Sequence, residues 1–94
     1  MNQPPKVIDG ARVIAWAWSG TTPFGVLKDQ NGASAVAIFG FAICQYEGQT
    51  EFYRFSCDKA WSSQQDSEYA SVDEAKENIP PQYNSVRPTW VHSG

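Results

Sequence analysis

Ninety-four residues leave room for one domain with its own core, and four Trp, four Tyr and five Phe supply enough apolar surface to exclude a disordered chain. A net charge of −3, with only seven Lys and Arg and no basic run, excludes the electrostatic footprint of nucleic-acid binding. The longest apolar run, residues 35–44, is far short of the roughly 20 residues that a membrane-spanning helix needs.

Residues 1–6 are polar and Pro-rich and read as a loose arm. They lack the apolar stretch of an export signal, so the expected compartment is the cytoplasm. Val7-Ile8 lead into an Asp9-Gly10 turn signal. Residues 11–19 then alternate, with Ile14, Trp16 and Trp18 on one side and Val13, Ala15 and Ala17 on the other, which is the period of a strand. Gly20-Thr21-Thr22-Pro23 turns the chain, and residues 24–28 form a shorter strand. Asn31-Gly32 favours a type I′ hairpin, because both central residues need positive φ. Residues 34–46 read as the longest strand. Their hairpin partner is residues 50–57, turning at Glu47-Gly48.

After a turn at residues 58–63, residues 64–69 read as a short edge strand. Ser71-Val72-Asp73-Glu74 has the form of a capping box, in which the Ser hydroxyl accepts from the amide three residues on. Asp73 and Glu74 suit the positive end of the helix. Pro80-Pro81 stop it at Asn78 or Ile79, after about two turns. Val72, Ala75 and Ile79 line its apolar stripe. Beyond lies an irregular segment anchored by Tyr83, Val86 and Trp90, and a loose tail at 91–94. The expected fold is α+β: an antiparallel meander of four to five strands with one short helix on one face, in a single domain over residues 1–94.

Pairing Gln45 with Thr50 sorts the central strands by face. Val36, Ile38, Gly40, Ala42 and Cys44 share one side with Tyr53, Phe55 and Cys57. Ala37, Phe39, Phe41 and Ile43 share the other with Phe52, Arg54 and Ser56. Both faces are apolar, whereas an antiparallel sheet commonly buries one and wets the other. A two-turn helix covers part of one face only. Two covers are open for the other: the chain's own tail or its Trp16/Trp18 strand, or another polypeptide. On the second view Phe39, Phe41, Ile43, Phe52 and Arg54 form an interface, with a homodimer as the simplest arrangement.

Residues for catalysis are sparse. In the assumed register Cys44 and Cys57 are offset by six positions, about 20 Å, too far for a disulfide. His92, the single histidine, lies in the tail, where nothing holds it as a base beside either thiol. One His and two Cys without C-x-x-C spacing make no zinc site. Asp66, Glu68, Asp73, Glu74 and Glu77 lack the spacing of a calcium loop, and read either as a solvated edge or as a surface for a basic partner. Gly20 and Gly25 are not followed by a helix start, so no phosphate cradle forms. No catalytic residues, cofactor or metal are expected, and an enzyme is the least favoured reading.

Phe52-Tyr53-Arg54-Phe55-Ser56-Cys57-Asp58-Lys59-Ala60-Trp61, followed by Asp66, Ser71-Val72-Asp73-Glu74-Ala75-Lys76 and Trp90, resembles a group of small uncharacterised bacterial proteins. Their pattern is a strand ending in Cys-Asp, a Trp turn and a Ser-x-Glu-Glu-Ala-Lys helix. The likeness covers residues 37–90 and departs at Pro80-Pro81, where a longer helix would run on. It implies a bacterial origin and an α+β fold, and no activity. The function expected from the residues is protein–protein interaction, through self-association or a partner. One version is an immunity-type inhibitor whose acidity suits a basic toxin. The alternative is a small-ligand domain using the aromatic sheet face.

Overall fold

Asp9 and Gly10 adopt φ of 50° and 84°, the paired positive values of a type I′ turn, and fold the short strand β1 (Val7–Ile8) back on β2 (Ala11–Trp18). This computed structural model describes residues 2–28 and 34–93. Next come β3 (Gly25–Lys28), β4 (Ala35–Ile38), β5 (Gly40–Gln45), β6 (Phe52–Cys57) and β7 (Ser63–Tyr69). Helix α1 (Val72–Glu77), a 3-10 turn at Pro81–Tyr83 and β8 (Val91–His92) complete the order. The structure is mostly antiparallel sheet with one short helix. The main sheet runs β1-β2-β5-β6-β7, with β8 also on β2, while β3 and β4 pair separately. The connection expected to turn at Asn31-Gly32 lies outside the described residues. Among the described residues no helix is long and apolar enough to cross a membrane.

The single strand expected over residues 34–46 is two strands. Ile38 accepts from the Phe24 amide, whereas the Phe39 carbonyl accepts from Ser19 and its amide donates to Cys57. The chain thus passes from the β3 ladder to the β2 and β6 ladders at Phe39. The β5–β6 register is also two residues from the expected one: Cys44 faces Tyr53 and Gly40 faces Cys57. The cause is a wider loop, in which Gln49 donates its amide to the Tyr46 carbonyl and accepts from Gln45 Nε2 at 2.9 Å. An even slip keeps each side chain of β5 and β6 on its own face, whereas Val36 and Ile38, expected beside Ala42 and Cys44, join Phe41 on the other side because of the step at Phe39.

In β2 the pairing shifts between Val13 and Ala15, leaving Ile14 as the extra residue of a bulge. Val13 therefore joins Trp16 on one side, while Ala15 and Ala17 lie on the other. On the first side Ile8, Val13, Trp16, Cys44, Phe55, Cys57 and Trp61 form one core cluster. On the second side two smaller clusters form, around Phe24, Ile38, Phe41 and Tyr83, and around Ala15, Ile43 and Ala75 beneath α1.

The terminal segments are more ordered than a loose arm and tail. The Lys6 carbonyl accepts from the Val13 amide, Val91 and His92 pair with Trp16 and Ala15, and Ser93 donates to the Ile14 carbonyl. Both segments share one edge of β2.

Candidate functional site

Of the five residues expected to meet another polypeptide, four are covered within the chain itself and Phe52 is covered in part. Phe41 and Ile43 are fully buried, Phe39 and Arg54 are buried, and Phe52 is half-buried. Phe24 stacks on Phe41 with centroids 4.3 Å apart, Tyr83 meets its edge at 5.6 Å, and Trp90 lies at 6.2 Å. Ile43 and Phe52 pack with Ala75 and Val72 of α1. Tyr83 and Trp90 belong to the tail that was one of the two covers left open by the sequence, and the cover missed there is Phe24, which reaches this face because β3 folds over it. Phe39 leaves the set: it stacks on Trp18 at 5.7 Å, with Lys59 Nζ 5.1 Å from its ring centroid. The step between ladders at Phe39 causes this.

Arg54 is 2% exposed and has no carboxylate partner among the described residues. Its Nη1 donates to the carbonyls of Ala75 at 2.7 Å and Asn78 at 3.1 Å, at the negative end of α1. Its guanidinium lies 5.0 Å from the Tyr69 ring centroid and 5.8 Å from that of Phe41. Burial pushes its pKa down, and neighbouring Tyr69 works against that shift. Nε has no partner. The arrangement closes a helix end rather than presenting a charge to a ligand.

Both thiols are shut away from solvent. Cys44 and Cys57 are free and buried, and burial raises each from 9.0 to about 12. In the observed register they are offset by four positions, about 13 Å along the strands. His92 faces Lys76 of α1, with Nε2 2.6 Å from Nζ. Lys can only donate, so Nε2 accepts. His92 pairs with Ala15, whose side of the sheet is opposite to that of the thiols. Among the described residues no three His, Cys, Asp or Glu side chains converge as metal ligands.

Two surface features stand out among the described residues. The first is β7. It pairs with β6, and no hydrogen bond from its outer edge to another strand occurs among the described residues. Asp66 and Glu68 face Phe55 and Tyr53 and are exposed. The Tyr53 hydroxyl donates to Glu68 Oε1 at 3.1 Å, and that bond is the main cause of its raised pKa. On the other side of the strand, Tyr83 donates to Gln65 Oε1 at 2.8 Å. The other acidic residues of the 66–77 segment, Asp73, Glu74 and Glu77, are exposed on α1. The second feature is a groove of about 340 Å³ between the arm and β2, where Lys6 and Arg12 approach Val13 and Trp16.

Comparison of the chain with family models, curated proteins and solved structures finds no match.

Proposed function

We propose that the chain is a protein–protein interaction domain that pairs an extended, basic segment of another protein along β7. The observation that carries this reading is the open outer edge of β7, with Asp66 and Glu68 exposed on one side of it. An added strand would satisfy its free backbone groups, and alternate Lys or Arg side chains would stand beside the two carboxylates. A second copy fits less well. Pairing β7 with itself sets acidic side chains against each other, which destabilises a ladder. Burial of Phe41, Ile43 and Arg54 within the chain also removes the motive for a dimer through that face. An acidic, cytoplasmic bacterial inhibitor of a basic toxin is the specific form that suits this surface, since complementary charge speeds the encounter.

Amide hydrogen exchange on labelled protein tests the proposal. An eight-residue peptide alternating Lys and Thr should protect the outward amides of residues 64–69. Its Glu–Thr counterpart should not, and an Asp66→Lys/Glu68→Lys variant should lose the effect. Unchanged exchange at β7 with the Lys peptide rejects the reading.

A further inference from the structure

We infer that the groove between the N-terminal arm and β2 binds a small organic anion that carries a flat apolar body. The argument begins with the frame. The Asp9-Gly10 turn aligns Val7 with Arg12, and the next step of the ladder sets Lys6 beside Val13 through the Val13 amide and Lys6 carbonyl at 2.9 Å. Residues opposite one another in an antiparallel pair share a face, so Lys6 stands on the side of Val13 and Trp16. Pro4 and Pro5 stiffen the wall that follows, because each ring locks its φ. Ser93, bonded to the Ile14 carbonyl at 2.8 Å, supplies the far wall.

The chemistry of this space is one-sided. Its volume of about 340 Å³ is in the range of small-molecule sites. Two cations, Lys6 and Arg12, line it, and no carboxylate does, although the chain carries ten acidic residues against seven basic ones. Neither cation is in an ion pair or a side-chain hydrogen bond among the described residues. By the same register Arg12, paired with Val7, stands on the other side of the hairpin, so the two cations flank the groove from opposite sides. Trp16 and Val13, buried in the core behind, reach the floor of the groove only with their margins, and Pro4 and Pro5 supply the rest of its apolar lining. A carboxylate attached to an aromatic ring matches both halves. This site is separate from β7, on the opposite edge of the sheet, and does not depend on the interaction proposed there.

The probe is 3-phenylpropanoate, with 3-phenylpropan-1-ol as its neutral counterpart, followed by amide and indole N–H chemical shifts. The acid should give saturable shifts at Lys6, Arg12, Val13 and the Trp16 indole, with a dissociation constant on the order of 1 mM for a ligand of this size. Lys6→Gln and Arg12→Gln, both at exposed positions, should each weaken binding about two- to fivefold. On the unaltered protein, raising salt should weaken binding in the same direction. Shifts that do not saturate, that map elsewhere, or that the alcohol reproduces equally overturn the inference. So does salt-independent binding on the unaltered protein.

Discussion

The indole of Trp61 lies directly on Gly40, so that a Cβ built at residue 40 falls inside contact distance of three of its ring carbons. Trp61 holds this position from a left-handed backbone, φ 62°, which is uncommon for so large a residue. The turn explains how. Asp58 accepts the Trp61 amide on its carbonyl at 3.1 Å, and its Oδ1 accepts from Ala60 and Ser62 at 2.9 and 3.0 Å. The ring then meets Trp16 edge-on at 6.1 Å and Trp18 at 5.5 Å. Gly40→Ala is therefore expected to cost about 1–3 kcal/mol through overpacking. Trp61→Gly relaxes the backbone but loses the ring, and should cost more. The double variant should cost less than the sum of the two. Strict additivity in denaturant melts would mean that the two residues are uncoupled.

Ser71 Oγ accepts from the Glu74 amide at 3.0 Å, with Ser71 itself in extended backbone. Ser71→Ala is expected to lower stability by about 1 kcal/mol. Superimposable melts of variant and parent would show that the cap contributes nothing to α1.

Arg54 is expected to govern the other end of the same helix. Arg54→Met keeps much of the side chain's bulk but removes the donors to Ala75 and Asn78. A loss of about 1.5–3 kcal/mol is expected, the usual range for hydrogen bonds from a charged donor. Hydrogen exchange should accelerate first at the amides of α1. Acceleration confined to β6 would assign Arg54 a packing role alone.

Phe41→Asp tests whether the chain covers its own second face. Phe41 is fully buried beneath Phe24, Tyr83 and Trp90, so a carboxylate there should cost more than about 4 kcal/mol and abolish the folded state. A variant that keeps its dispersed spectrum and changes only its association state would contradict the burial described above.

The thiols predict a pH dependence. Both have folded pKa values raised from 9.0 to about 12, so the folded state disfavours the thiolates that the unfolded chain forms freely. Their contribution to stability is complete below pH 9.0 and is lost as pH rises toward about 12. A Cys44→Ala/Cys57→Ala variant should be less stable near neutrality because it opens space in the core. Its deficit relative to the parent should shrink across the alkaline window. A constant difference at every pH would show that the thiols do not titrate differently in the two states.

Local signals were the legible part of this chain. Asp9-Gly10, the Ser71 cap and the Pro80-Pro81 stop each act within a few residues, and each stands where its local chemistry places it. The assignment of Ala42, Cys44, Phe55 and Cys57 to one face survived a two-residue error in register because side chains alternate with period two. Features that depend on a third strand were not legible. The bulge at Ile14 regroups Val13 with Trp16, and the break at Phe39 follows from competing ladders rather than from a turn residue. The groove was not legible: residues 1–6 read as a loose arm and 91–94 as a loose tail, and only the β1 and β8 pairings bring Lys6 and Ser93 to the edge of β2.

The shared edge of β2 also sets an order of events. Lys6, Val7 and Ile8 can zip onto Arg12 and its neighbours as soon as the hairpin is made, because the contact is local. Ala15 and Trp16 wait for Val91 and His92, which lie across almost the entire described sequence. Closing so long a loop is entropically costly and slow, so half of this edge stays exposed in any partly folded or nascent chain. A chain shortened before residue 91 would retain the helix cap and the central strands, yet leave a bare strip of β2 open to pair with its neighbours, and aggregation rather than unfolding would be its failure.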